Sequence, residues 1–244
     1  MKIKSQANIK NTLIYPVLLI IVLLSCFVMA NTLWNIPDYV DSGKSISVPN
    51  TPNSVIFSSD GTKMVQSSYD TKKIYQYSCT DAWNISSCSS DSIDIALSIF
   101  PDGVTDADTG GSTFFVAGGN IIISYTCSDS WNLSSCHYTD NITTIGTGIS
   151  DVFYKTTNPR KLYEVDDGSN KIYQWDCGIA LGSLSSCENS LKNISTQGSR
   201  PQDIFFKSDG LKLYELDRTG TIYQYTCSNA WNLSSCTYDS ITLS

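Results

Sequence analysis

Ile222-Tyr223-Gln224-Tyr225-Thr226-Cys227, then Ser228-Asn229-Ala230-Trp231-Asn232-Leu233-Ser234-Ser235, then Cys236, is a β-prone run that ends in a cysteine, a polar turn built on Trp-Asn, and a second cysteine. Three earlier stretches repeat it: Ile74-Tyr75-Gln76-Tyr77-Ser78-Cys79 to Cys88, Ile123-Ser124-Tyr125-Thr126-Cys127 to Cys136, and Ile172-Tyr173-Gln174-Trp175-Asp176-Cys177 to Cys187. The first cysteines of successive copies lie 48, 50 and 50 residues apart. A period near 50 in β-rich sequence predicts a propeller or a related array of small sheets, because one such unit cannot bury its own apolar face. The expected fold class is therefore all-β, a propeller-like array of four four-stranded blades.

The strands can be followed by their alternation. In the first copy Ser54-Val55-Ile56-Phe57 reads as an innermost strand and Ser59-Asp60-Gly61-Thr62 as the turn after it. Lys63 to Ser67, Lys73 to Cys79 and a more polar edge strand, Ser92 to Leu97, follow. The fourth copy repeats the scheme with Asp203 to Phe206, Lys212 to Asp217, Thr221 to Cys227 and Tyr238 to Ser244. Where the first copy has Asp-Gly, the second has Thr109-Gly110-Gly111-Ser112 and the third Thr157-Asn158-Pro159-Arg160; such varied chemistry marks a structural turn rather than a shared catalytic loop.

The first thirty residues set the compartment. Lys2, Lys4 and Lys10 precede an apolar run from Leu13 to Val28, and Val28-Met29-Ala30 offers small residues where a signal peptidase reads. This divides the chain into a signal peptide (1–30), an N-terminal linker (31–44) and a four-repeat domain (45–244). Two alternatives stay open: a retained anchor, although the run is short of the roughly 20 residues that span a bilayer, and a lipobox-like Leu23-Leu24-Ser25-Cys26 with lipidation at Cys26. Cleavage after Ala30 removes Cys26 from the nine cysteines and leaves an even set in four pairs, which in an exported chain reads as disulfides. Structural zinc usually takes paired ligands about two to four residues apart, which these spacings do not supply, and His137 is the only histidine. Pairing within each repeat is the simplest arrangement: Cys79 with Cys88, Cys127 with Cys136, Cys177 with Cys187 and Cys227 with Cys236. Such small loops contribute about 2 to 3 kcal/mol each on the chain-entropy argument. A secreted, cell-surface or periplasmic location follows.

Composition is that of a folded exterior protein, with 41% hydrophobic, 11% aromatic and 16% charged residues. Cleavage takes away three lysines and no acid, carrying the formal charge from −7 to −10, which disfavours nucleic acid and anionic membranes as partners. Membrane attachment would then come only through a lipid or an uncleaved anchor.

Pro201-Gln202-Asp203-Ile204-Phe205-Phe206-Lys207-Ser208-Asp209-Gly210-Leu211-Lys212-Leu213-Tyr214, with Ile222 to Tyr225 and Ala230-Trp231-Asn232-Leu233-Ser234, resembles the "SPDGTKLY…STAWDLSTA" repeat of bacterial and phage β-propeller proteins. These are loosely similar to the YVTN, NHL and lactonase-like propellers. The resemblance runs from about Ser45 to the C-terminus and implies blades, not an activity, since propellers host enzymes, receptors and scaffolds alike. The cysteines flanking the Ala-Trp-Asn turn and the low blade number depart from the usual pattern. Gly43 to Pro49 also matches the fourth strand of a preceding repeat. Either Ser45 to Val48 completes the last blade and displaces the C-terminal strand, closing the ring, or the blades form an open arc that joins other chains into a homo-oligomer.

No serine has a histidine to activate it, so no catalytic residue is assigned and no cofactor is expected. A lactonase-like propeller would need oxygen ligands around a channel cation; the candidates are Asp151, Asp203 and Asn53, near the starts of inner strands. Asp106-Ala107-Asp108-Thr109-Gly110 begins like a calcium loop but lacks the later bidentate acid. Trp83, Trp131 and Trp231 could form an aromatic platform for sugars, but Leu181 stands in their place in the third copy, which keeps packing and loses stacking. Asn84, Asn132, Asn141, Asn193 and Asn232 begin glycosylation sequons. The expected function is a non-catalytic module binding a protein or carbohydrate, or an extracellular structural component; the alternative is a lactonase-like, metal-dependent propeller hydrolase.

Overall fold

The computed structural model describes residues 42–243, and from Gly43 onward they form one compact unit. The expected signal peptide, Cys26 and all but the end of the expected linker lie outside the described residues. Sixteen strands make four antiparallel sheets of four. Blade 1 contains β1 (Pro52–Phe57), β2 (Lys63–Ser68), β3 (Lys73–Cys79) and β4 (Cys88–Ala96); blade 2 contains β5 (Gly103–Asp106), β6 (Thr113–Gly118), β7 (Ile121–Cys127) and β8 (Cys136–Thr143). Blade 3 contains β9 (Ile149–Lys155), β10 (Arg160–Asp166), β11 (Lys171–Cys177) and β12 (Cys187–Ser195), and blade 4 β13 (Pro201–Phe206), β14 (Lys212–Asp217), β15 (Ile222–Cys227) and β16 (Cys236–Leu243). The chain is a four-bladed propeller of consecutive strands.

Each disulfide joins directly opposed residues of the third and fourth strands, with Cα atoms 3.8 to 3.9 Å apart. All four pairs are those expected from the repeat. A one-turn 3-10 segment, such as Leu233–Ser235, leads into the second cysteine, so the outer strand starts there rather than at Ser92 as the alternation suggested. Its polar first half has no apolar face to announce it, and its pairing comes from the disulfide. A register shift between Tyr75 and Tyr77, with Ser92 at positive φ, then restores the alternation.

Three buried clusters hold the blades side by side. Val65 and Ile74 of blade 1 pack on Val104, Phe114 and Leu133 of blade 2; Phe115 and Ile122 of blade 2 on Val152, Leu162 and Leu184 of blade 3; Tyr163 and Ile172 of blade 3 on Ile204, Leu213 and Leu233 of blade 4. No such cluster joins blade 4 to blade 1 among the described residues. Ser45 to Val48 form no strand, and β16 keeps its place beside β15, so the ring is not sealed by strand exchange. No helix among the described residues is long and apolar enough to cross a membrane.

Candidate functional site

The four inner strands enter the axis at equivalent positions: Asn53, Asp102, Ser150 and Gln202 are aligned, and one residue further on come Ser54, Gly103, Asp151 and Asp203. The first set faces one mouth of the central channel, where residues of all four blades line a cavity of about 690 Å³. Asn53 Nδ2 donates to Asp102 Oδ1 at 2.9 Å, and Arg218 Nε donates to Gln202 Oε1 at 3.0 Å. Burial pushes the Asp102 carboxyl up to about 6; the Asn53 hydrogen bond and the Arg218 charge oppose the shift, and the Asp167 charge adds to it. Tyr69 and Phe100 stack at the rim with ring centroids 4.7 Å apart, and Lys72 Nζ lies 3.9 Å from the Phe100 centroid. A wall of carboxylates, amides and one guanidinium beside an exposed aromatic pair is suited to a hydroxyl-rich ligand.

At the other end the inner strands line a second cavity of about 470 Å³. Here Asp151 and Asp203 come together. Burial first, and then the charge and hydrogen bond of Asp203, raise the Asp151 carboxyl well above its ordinary value. Its lone pairs also accept the N–H groups of Val152 and Ile204. Asn53 does not join this pair, being held by Asp102 at the mouth. Two carboxylates alone are fewer oxygen ligands than a calcium site takes, and among the described residues no group of three acidic, Cys or His side chains is placed to hold a metal.

The other singled-out residues have structural surroundings. Trp131 packs edge-on to Phe114 at the first seam, Trp231 against Phe153 and Phe206 at the third, while Trp83 is 61% exposed and packs against Phe57. Asn84, Asn132 and Asn232 precede the 3-10 turns and are half-buried, with Asn132 Oδ1 accepting from Ser134 N at 3.2 Å; Asn141 and Asn193 are exposed on outer strands. Asp106 and Asp108 bond to each other and to their own turn, where Asp108 accepts from Gly110 N at 3.0 Å. His137 is exposed on β8.

Sequence reasoning missed Asp102, Asp167 and Arg218. Alignment of Asp102 with Asn53, Ser150 and Gln202 was the available signal, but the second copy's Phe100-Pro101-Asp102-Gly103 reads as a turn and hid it.

No family model matches this chain, and no curated protein matches it. It is similar in fold to a proposed 6-phosphogluconolactonase from Bacteroides uniformis (13% identity, TM-score 0.56, 84% of this chain and 60% of that one). A second proposed 6-phosphogluconolactonase, from Bacteroides fragilis, matches at 13% identity and TM-score 0.57 over 79% of this chain and 54% of that one. A protein from Lactobacillus plantarum matches at 16% and 0.57 over 83% and 60%. The fold is that of a β-propeller. At these identities the likeness speaks for architecture alone, and this propeller spans only 54 to 60% of the length of those three chains.

Proposed function

We propose that this propeller is a secreted or surface-attached, non-catalytic binding module that takes a hydroxyl-rich ligand, such as a saccharide unit, at the Asn53–Asp102–Arg218 mouth of its channel. The carrying observation is the 690 Å³ cavity to which every blade contributes a polar side chain beside the Tyr69–Phe100 stack. Four disulfides fit an oxidising exterior compartment, in keeping with the basic and then apolar N-terminus. The lactonase-like reading has the fold likeness in its favour. Against it, the mouth sets three carboxylates, Asp70, Asp102 and Asp167, against one guanidinium, which repels a phosphosugar.

The test is a glycan array with the mature protein, followed by calorimetry on the best binder. Asp102→Ala and Arg218→Ala should each weaken binding about tenfold or more, with Asp151→Ala leaving it unchanged. Metal-supplemented turnover of a lactone or ester, abolished by Asp151→Ala and Asp203→Ala, would instead establish the hydrolase.

A further inference from the structure

The second cavity, at the far end of the channel from the Asn53–Asp102 mouth, differs from the first in charge and in aromatic content. Among the described residues that line it are three carboxyl side chains, Asp106, Asp151 and Asp203, and no lysine, arginine or histidine, whereas the first mouth sets Arg218 among its acids. Five aromatic residues border it: Phe57 and Trp83 from blade 1, Phe153 and Tyr154 from blade 3, and Phe205 from blade 4. Phe153 and Phe205 meet edge to face with ring centroids 6.3 Å apart, and Phe57 and Trp83 pack at 5.7 Å. Two aromatic pairs from different blades therefore share one cavity.

The exposure of these rings follows from the arrangement of the blades. Among the described residues no buried cluster joins blades 4 and 1. At that junction Val55 is 53% exposed where its equivalents Val104, Val152 and Ile204 are buried, Trp83 is 61% exposed where Trp131 and Trp231 are half-buried, and Phe205 is 46% exposed where Ile56 and Phe153 are half-buried. Asp151 lies two residues before Phe153, and Asp203 two before Phe205, so each carboxyl shares a strand face with its ring and stands deeper in the channel. Asp151 is buried and Asp203 is exposed to the cavity. The Asp203 charge is one of the causes that raise the Asp151 carboxyl, and a cation beside the pair would relieve that repulsion. A calcium ion takes more oxygen ligands than the pair supplies. A primary ammonium needs only acceptors for its N–H donors, and two carboxyl groups provide them.

We propose that this second cavity binds a small arylalkylamine, with its ammonium group at the Asp151–Asp203 pair and its ring among Phe57, Trp83, Phe153 and Phe205. Charge complementarity selects the cation, since the lining carries acids and no base. The aromatic walls select a flat apolar body and add cation–π attraction to the ammonium. A volume of about 470 Å³ accommodates a ligand of this size.

Calorimetric titration of the mature protein with tyramine near neutral pH should show saturable binding of one molecule per chain. 4-Ethylphenol, the same body without the amine, should bind about tenfold more weakly or not at all. Asp203→Asn, which keeps the side-chain shape, should weaken tyramine binding about tenfold, and Trp83→Ala about threefold, with circular dichroism confirming that both variants fold. Nα-acetyl-lysine methylamide, which carries the same ammonium on a protein-like backbone, should bind more weakly than tyramine; the reverse order would assign the cavity to a partner protein's lysine and overturn the proposal. Absence of tyramine binding, or equal binding of 4-ethylphenol, would overturn it as well. So would tyramine binding that survives Asp203→Asn and Trp83→Ala but is lost in Asp102→Ala, which would place the amine at the other mouth. Saccharide binding at that mouth uses neither Asp203 nor Trp83, so either proposal can fail without the other.

Discussion

The indole of Trp231 lies over Gly210, and the Trp231 backbone N–H donates to the Gly210 carbonyl at 3.0 Å. Trp83 with Gly61 and Trp131 with Gly111 repeat the contact at 3.0 and 2.8 Å. In blade 3 both partners change: Pro159 stands at the glycine's place in a cis Asn158-Pro159 turn, and Gly182, at φ +70° just before the 3-10 turn, takes the tryptophan's place, the loop being one residue longer so that Leu181 lies one position off. The tryptophan therefore serves its own blade's inner turn as well as the seam.

Gly210 has φ +71°, and a Cβ there would run into the Trp231 ring. Gly210→Ala should lower stability by about 2 to 4 kcal/mol, combining about 1 to 2 for a left-handed non-glycine residue with displacement of the indole. Gly220, at φ +91° with open space around its Cβ position, separates the two contributions: Gly220→Ala should show only the first. Urea unfolding of both variants is the measurement, and equal losses would remove the tryptophan from the account.

The loops that enter blades 3 and 4 are pinned by buried glutamates. Glu215 accepts the N–H groups of Gln197 at 3.1 Å and Gly198 at 2.9 Å as well as the Tyr225 hydroxyl; Glu164 accepts Ile145 N, Gly146 N and Trp175 Nε1. Blade 1 has neutral Gln66 at the equivalent position and Pro49, which has no N–H, where Gly198 stands. Glu215→Gln would turn an amide NH2 toward donors and should lower stability by about 2 to 3 kcal/mol. The corresponding Gln66→Glu should not stabilise blade 1; thermal unfolding of both decides it.

Stability should fall as pH rises through the weakly acidic range. Burial, and then the hydrogen bond with Asp108, push Asp106 up to about 7. Between the ordinary aspartate value near 3.8 and about 7 the folded chain holds a proton that the unfolded chain has lost. The stabilisation linked to that proton is complete below about pH 4 and gone above about pH 7. Asp102, raised to about 6, acts in the same direction. Asp106→Asn should flatten the pH 4 to 7 decline by about 2 kcal/mol, less than the whole shift because the turn is partly wet. An unchanged slope would mean that Asp106 ionises in the folded protein as freely as in water.

Blade number, inner strands and disulfide pairs were legible because each is written four times: a spurious alternation does not recur at 48 to 50 residues. What the repeat hid is what differs between copies. Asp102 and Arg218 meet at the channel mouth from blades 2 and 4, and no local pattern links residues brought together only when sheets are arranged about an axis. The Asp151–Asp203 pair was visible because both precede an apolar run, yet Asn53 sits one residue off their register, and a shift of one reverses the direction of a strand side chain. Gly43 to Pro49 has strand-like alternation without a strand, since pattern alone cannot supply a neighbour with free ladder groups.

The disulfides should not be worth the same. Their separations of 9, 9, 10 and 9 residues make the loop-entropy contribution nearly equal, about 2 to 3 kcal/mol each. Their surroundings differ. Cys227 and Cys236 both belong to the cluster between blades 3 and 4, whereas among the described residues neither Cys79 nor Cys88 joins a buried cluster, since none forms between blades 4 and 1. Replacing Cys227 and Cys236 by alanine should therefore cost about 1 to 2 kcal/mol more than replacing Cys79 and Cys88, from the buried sulfur packing lost at a seam. Denaturant unfolding of the two double variants at low protein concentration measures the difference.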